Sequence, residues 1–407
     1  MRLLIHDFAG HPFQAQLSRR LAQRGHAVTH VYPVGLAGPK GRLTGAESDS
    51  ARLNIRGIQL SSQFRKYSAH RRFVTQRKYA NDLKKLIQRT KPDVVLSGNT
   101  PIDVQAELLW HCRANRVGFV HWLQDIYCEA LRFFLKRRLP LVATPIATMF
   151  ELLERSVASR SDHMVVISPD FYNLLCRWNV PESRITVIEN WAPLEEMPQA
   201  PRDNEWSRSQ ELGKRPVLLY SGTLGMKHRP DLLYHLAERL QQECTVVVIT
   251  EGIGRDYLDR MPQLGNLRTL RFQPYEKMPE VLASADVLLA TLEADAGQFA
   301  VPSKILTYLC AGRPILLAGP RENLSASMIE RSGGGLVVDP NDPSAWVSAA
   351  RRLISDVDLR ARFGCNARSY AERTFDVERI SDAFESVLFS AYRLYANATS
   401  AASPLTA

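Results

Sequence analysis

No run in this chain approaches 18 consecutive apolar residues, so no transmembrane helix is expected. The start, Met1-Arg-Leu-Leu-Ile-His-Asp7, turns polar too soon for a secretory signal. No Cys-x-x-Cys pair occurs. The six cysteines, at positions 112, 128, 176, 244, 310 and 365, mostly sit among apolar residues, which fits reduced core thiols in the cytosol rather than disulfides or a zinc site. There is no G-x-G-x-x-G after a strand, which removes the main support for dinucleotide binding. No D-x-D stands in a strand-end loop, so neither a metal nor another cofactor is expected. Zinc-finger and RRM patterns are missing too, which argues against nucleic acid.

What is present is the alternation of an α/β protein. The 407 residues exceed one ordinary domain and suit two. The first half opens with a βαβ pattern. Met1 to His6 reads as a strand and Gly10 lies in the loop after it. A helix follows from Pro12 to Arg24, then a strand from Ala27 to Tyr32. Residues 92–97 and 117–124 read as further strands, ending in Gly98-Asn-Thr100 and Asp125-Ile-Tyr-Cys-Glu129. Asp125 therefore stands at a strand's carboxyl end, where open α/β sheets bind ligands. It could orient or deprotonate a hydroxyl, or merely cap the next helix.

The second half carries the richer signals. Val217-Leu-Leu-Tyr-Ser221 is a strand, followed by Gly222-Thr-Leu-Gly225, the basic Lys227 and Arg229, and a helix from Pro230. Glycines allow a ligand close to the backbone, and cations with a helix N-terminus meet negative charge. A strand at 245–250 leads into Glu251-Gly-Ile-Gly254. A short strand is expected at 270–273, a helix at 280–285 and a strand at 286–292. In Pro302-Ser-Lys304 the serine is expected to N-cap a helix that bears Ile305, Leu306, Leu309 and Cys310 on one face. Gly312 ends that helix and Pro314 to Ala318 is a buried strand.

This order of segments over residues 215–320 resembles the donor-binding half of family 4 glycosyltransferases. The resemblance implies a GT-B fold: two Rossmann-like domains facing across a cleft. It implies a nucleotide-diphosphate sugar, with UDP expected ahead of GDP, held by Gly222, Thr223, Lys227, Arg229, Gly252, Gly254, Pro302, Ser303, Lys304 and Thr307. In the first domain it implies that Gly10, His11 and Glu129 line the acceptor side and that Asp125 is catalytic. Two departures stand out. Thr223 replaces a frequent arginine, and the two glutamates many relatives carry fall at Phe299 and Thr307. Glu293 or Asp295 could replace one of them. The Pro-Ser-Lys form resembles the members that build colanic-acid, capsule or O-antigen-like polysaccharides, so a retaining transfer onto a polyprenyl-diphosphate-linked glycan is expected. The alternatives are a nucleotide-sugar 2-epimerase of the same fold and a non-catalytic scaffold in a polysaccharide assembly complex.

The domains are expected at 1–195 for the acceptor and 205–375 for the donor, joined by a proline-rich linker. A C-terminal helix at 376–397 could cross back to the first domain, and 398–407 is expected to be a disordered tail. Charge divides unevenly: residues 1–195 carry 28 Lys+Arg against 16 Asp+Glu, while residues 196–407 carry 24 against 26. Arg132, Lys136, Arg137 and Arg138 surround Phe133 and Phe134. Basic residues mixed with aromatics suit an anionic membrane surface, so a peripheral place on the inner face of the cell membrane is expected.

Overall fold

The computed structural model describes residues 1–36, 40–60, 69–138, 140–213, 215–225, 227–295 and 303–400; the side chains of 69–73, 130, 133–134, 136–142 and 397–400 lie outside that description. The chain forms two compact units, Met1–Glu189 with Val377–Ala407, and Asn190–Asp376.

The first unit runs β1 (Arg2–Asp7), α1 (Pro12–Gln23), β2 (Ala27–Val34), β3 (Leu53–Gln59), α2 (Ala69–Thr90), β4 (Val94–Gly98), α3 (Ile102–Ala114), β5 (Gly118–Leu123), α4 (Tyr127–Arg138), α5 (Pro140–Arg160), β6 (His163–Val166), α6 (Pro169–Arg177) and β7 (Ile185–Val187). The strands form one parallel sheet in the order β3-β2-β1-β4-β5-β6-β7. β4 and β5 are buried at every residue, as a parallel sheet covered on both faces requires. Leu4, Val95 and Phe119 anchor the core under Leu83, Leu108 and Leu109 of α2 and α3. β3 was not expected from the sequence. It is an edge strand in which Gly57 and Arg56 interrupt the apolar pattern, and exposure on the open side tolerates that.

The second unit runs α7 (Glu205–Ser209), β8 (Val217–Ser221), α8 (Pro230–Arg239), β9 (Thr245–Ile249), α9 (Ile253–Arg260), β10 (Leu267–Leu270), α10 (Met278–Ala283), β11 (Val287–Thr291), α11 (Lys304–Ala311), β12 (Ile315–Ala318), α12 (Leu324–Ser332), β13 (Gly335–Val338), α13 (Pro343–Ser355) and α14 (Val357–Thr374). Its sheet is also parallel, in the order β10-β9-β8-β11-β12-β13. Trp346 fills its core and donates its indole N–H to Leu232 O at 3.2 Å. The strand expected at 270–273 lies earlier, at 267–270, because Leu267 to Leu270 pair with Val246 to Ile249 and leave the residues before Pro274 as loop. The stretch read as linker is held against this unit. Asn204 caps α7 through Ser207 N–H and donates its amide to Pro201 O and Glu280 O.

α15 (Val377–Ser400) returns to the first unit, where Tyr395 O–H donates to Asp162 at 3.2 Å and Arg24 binds Glu378, Asp382 and Glu385. Residues 401–407 lie outside the described residues. Both sheets are doubly wound and reverse direction once, between β1 and β4 and between β8 and β11. Ligands in such sheets bind beyond the carboxyl ends of the strands at that reversal.

Candidate functional site

In the second unit the reversal point lies between Ser221 at the end of β8 and Thr291 at the end of β11. Gly222 follows with φ 138°, and Lys304 reaches back to it from the start of α11. A Cβ at position 222 would lie 3.1 Å from Lys304 Cε and 3.4 Å from its Nζ, so the glycine leaves room for the lysine. The ammonium sits 3.8 Å from the centre of the Tyr220 ring and donates to the Tyr220 hydroxyl. Burial pushes the Lys304 pKa well below the ordinary lysine value. Lys304 makes no ion pair among the described residues, and the Tyr220 hydroxyl is its hydrogen-bond partner. Tyr308, one turn along α11, donates its hydroxyl to Ser221 O and accepts Ser221 N–H at 2.8 Å, fixing the strand end. Tyr220 and Tyr308 were not singled out in the sequence, where both look like ordinary core positions.

The other expected donor residues fall around this point. Lys227 is half-buried and makes no ion pair among the described residues; its carbonyl accepts Glu293 N–H at 2.9 Å. This places Glu293 at the end of β11, with a carboxylate oxygen 4.0 Å from Arg229. Arg229 itself is gripped by Asp231 at 2.6–3.1 Å and donates to Pro340 O, so its charge is largely matched already. Thr223 is exposed and its carbonyl accepts the Tyr220 hydroxyl at 2.9 Å. Thr307 is half-buried on α11. Pro302 and the first of the two missing acid positions, Phe299, lie outside the described residues. Ser303 does not cap α11: its backbone is already helical (φ −56°, ψ −22°) rather than extended as at a capping residue, and its hydroxyl makes no cap bond.

Gly252 (φ 83°) opens α9, and Gly254 packs against the loop after β8. Gly254 N–H donates to Leu224 O at 3.1 Å, and a Cβ there would lie 2.1 Å from Leu224 Cβ. Contact this close joins the two glycine loops. Gly254→Ala is expected to force them apart, lowering stability by about 1–3 kcal/mol as overpacking does. Nucleotide affinity should fall with it. Thermal melting and calorimetry check both, and a variant that keeps its melting temperature and affinity would show that the loops are not coupled.

In the first unit the reversal point lies between Asp7 and Gly98, the last residues of β1 and β4. Asp7 is fully buried and organises the loop. It accepts Ala9 N–H at 3.0 Å and His11 N–H at 2.5 Å, with further bonds from Gly10 N–H and the Asn99 side chain. Burial raises its pKa to about 7 against those hydrogen bonds. Gly10 takes φ 80°, and His11 stands before α1 with its ring stacked on Phe13 at 5.1 Å. Burial lowers the His11 pKa to about 4, so the ring is neutral near pH 7. Asp7 was missed in the sequence, although an acid closing a strand before a glycine loop was visible there.

Asp125 is exposed two residues beyond β5, the neighbour of β4. The first N–H groups of α4 are taken by another acid: Tyr127 N–H and Cys128 N–H donate to the two oxygens of buried Glu154 at 2.6 and 2.8 Å. Glu154 comes from α5, 26 residues away from Cys128, and no local sequence signal announced it. Glu129 is exposed and pairs with Arg132 at 2.5 Å, and Arg132 also meets Glu151 at 3.0 Å. That arginine of the expected basic patch is therefore matched, while the side chains of Phe133, Phe134, Lys136, Arg137 and Arg138 lie outside the described residues. No helix among the described residues is long and apolar enough to cross a membrane.

Comparison with known proteins follows the same division into units. The family model Glycosyltransferase Family 4 matches residues 14–196, and Glycosyl transferases group 1 matches residues 215–356. WcaI of Escherichia coli, named as a colanic acid biosynthesis glycosyl transferase, is 26% identical over 243 residues, 58% of this chain and 59% of WcaI. WbjE of Pseudomonas aeruginosa, named as a glycosyltransferase, is 28% identical over 281 residues, 65% of this chain and 66% of WbjE. The matched part thus spans about six tenths of the length of these relatives. Anabaena HepE, solved with UDP and glucose, has the same fold, with a TM-score of 0.68 at 13% identity over 96% of this chain and 100% of HepE. With two doubly wound parallel sheets the chain has the GT-B fold, and a glycosyltransferase model matches each half, Glycosyltransferase Family 4 the first and Glycosyl transferases group 1 the second.

Proposed function

We propose that the protein is a retaining glycosyltransferase that takes a sugar from a nucleotide diphosphate, UDP ahead of GDP, and builds it onto a lipid-linked glycan of a bacterial surface polysaccharide. The observation that carries the donor part is Lys304: a half-buried lysine with no ion pair among the described residues, beside Gly222 at the reversal of the second sheet, within a loop set that also offers Lys227 and the N-terminus of α8. Desolvating a lysine disfavours its ammonium form unless something negative joins it. A diphosphate supplies that charge, and the leaving diphosphate is where negative charge grows during transfer. The solved complexes of HepE with UDP and with UDP-glucose support a nucleotide sugar on this fold. Asp125 would act on the acceptor hydroxyl, with Gly10, His11 and Glu129 on the same side.

The polysaccharide reading is supported by WcaI and its colanic acid assignment. A lipid-linked acceptor and a peripheral membrane position are supported by the charge of residues 1–195 and by α5, where Met149 is 59% and Leu152 60% exposed one turn apart. Apolar side chains beside basic ones suit an anionic bilayer surface.

Two experiments test the parts separately. UDP is expected to raise the melting temperature in proportion to the logarithm of its concentration above Kd. Phosphatidylglycerol vesicles are expected to sediment the protein at low salt and release it at high salt, since the attraction fades beyond a Debye length. No shift with UDP, GDP or their sugars would remove the donor assignment. Equal partition onto neutral and anionic vesicles, or none onto either, would remove the membrane and favour a soluble acceptor.

A further inference from the structure

The first unit has a cavity of 540 Å³ at the end of its sheet opposite to the loops described above. It lies where strands begin: Arg2 starts β1, Asp93 precedes β4 and Val117 precedes β5. α15 closes one side with Tyr392 and Tyr395. The volume is that of a small-molecule site.

Three cations line it. Arg2 is matched by Asp93, through Nη2 to Oδ1 at 2.8 Å and through its backbone N–H to Oδ2 at 2.7 Å. Lys91 and Arg116 have no ion pair among the described residues, and both are exposed at the cavity. Their backbones are unusual. Lys91 has φ 44° and Arg116 φ 55°, each just past the end of a helix, α2 and α3. Glycine is the residue that takes this conformation without strain. Helix dipoles do not require these two cations either, because the last turns already hold Arg89 and Arg113. Asn179 and Glu211 take the same conformation past α6 and α7, so the backbone by itself marks no site; what sets positions 91 and 116 apart is that both bring a long cationic side chain to one cavity. Gln88 adds an amide that can both donate and accept, as sugar hydroxyls require, and Asn115 adds a side-chain carbonyl beside an Nδ2 that already donates to His111 O at 2.8 Å.

We propose that this cavity binds a small anionic saccharide, a sugar bearing a phosphate or a carboxylate, at a site apart from the transfer loops. Lys91 and Arg116 would meet the charge, and the amides and tyrosines would meet the hydroxyls and the ring. The assignment stands independently of the nucleotide and acceptor reading above.

The test is calorimetry on the full chain with glucose 6-phosphate, glucuronate, glucose and inorganic phosphate. Saturable binding is expected for at least one of the two anionic sugars and not for glucose. Which of the two binds decides between phosphate and carboxylate. Lys91→Gly and Arg116→Gly should each weaken it by about tenfold. Both variants suit the left-handed backbone, so their melting temperatures should match or exceed that of the parent, and UDP binding should be unchanged. The proposal is overturned if no anionic sugar binds, if glucose or phosphate alone binds as well as the anionic sugar, or if both glycine variants bind it like the parent.

Discussion

Asp125→Asn is expected to lower the rate of sugar transfer by roughly 10²–10⁴-fold, the range for loss of a general base, while UDP affinity stays at its parental value. The substitution keeps size and hydrogen-bonding capacity and removes only the charge and the basicity. Its effect on the fold should be small. Asp125 is exposed, and the N–H groups of Tyr127 and Cys128 at the start of α4 are held by Glu154 rather than by it. Initial rates at saturating donor, with UDP binding by calorimetry as the control, separate the two roles. Turnover near the parental rate would reduce Asp125 to a residue of the strand-end loop.

Lys304→Met is expected to weaken UDP binding by about 1.5–3 kcal/mol, the range for charge-assisted hydrogen bonds, and yet to stabilise the unliganded protein. The stability gain follows from the sign of the pKa shift. Burial lowers the folded-state pKa of Lys304, so between that value and the unfolded one, about 10.4, the unfolded chain binds more protons. The burden on the fold is therefore full below the folded pKa and vanishes as pH rises through the unfolded one. The methionine variant should melt higher at neutral pH, by about 2–4 °C for each kcal/mol regained, and the gain should shrink in alkali. A diphosphate reverses the balance by favouring the ammonium. UDP affinity of the parent should then fall as pH rises through the lowered Lys304 pKa, by up to about tenfold per pH unit for one linked proton. The variant should lack that part of the profile. Equal UDP affinity in parent and variant would place Lys304 outside the donor site.

The order of elements was legible in the sequence because local patterns carry it. Apolar runs mark β8, β9 and β11, the first two followed by glycine, and the Gly222 and Gly252 loops follow from residues whose backbone must turn. The alternation of strands and helices led to two parallel-sheet units, and the Pro-Ser-Lys segment pointed to the family. Which of the named residues act together was not legible. Arg229 and Lys227 look alike in sequence, yet Asp231 neutralises one and no ion pair among the described residues neutralises the other. Ser303 looked like a cap and is not, whereas Glu154 caps a helix from 26 residues away. The strand order that sets the reversal points, and with them the meeting of Asp7 with Asn99 and of Lys304 with Gly222, arises from pairing between segments up to about 90 residues apart. Backbone propensity acts over a few residues and so could be read along the chain. Burial and charge compensation depend on which distant side chains share the same space, and only the folded structure decides that.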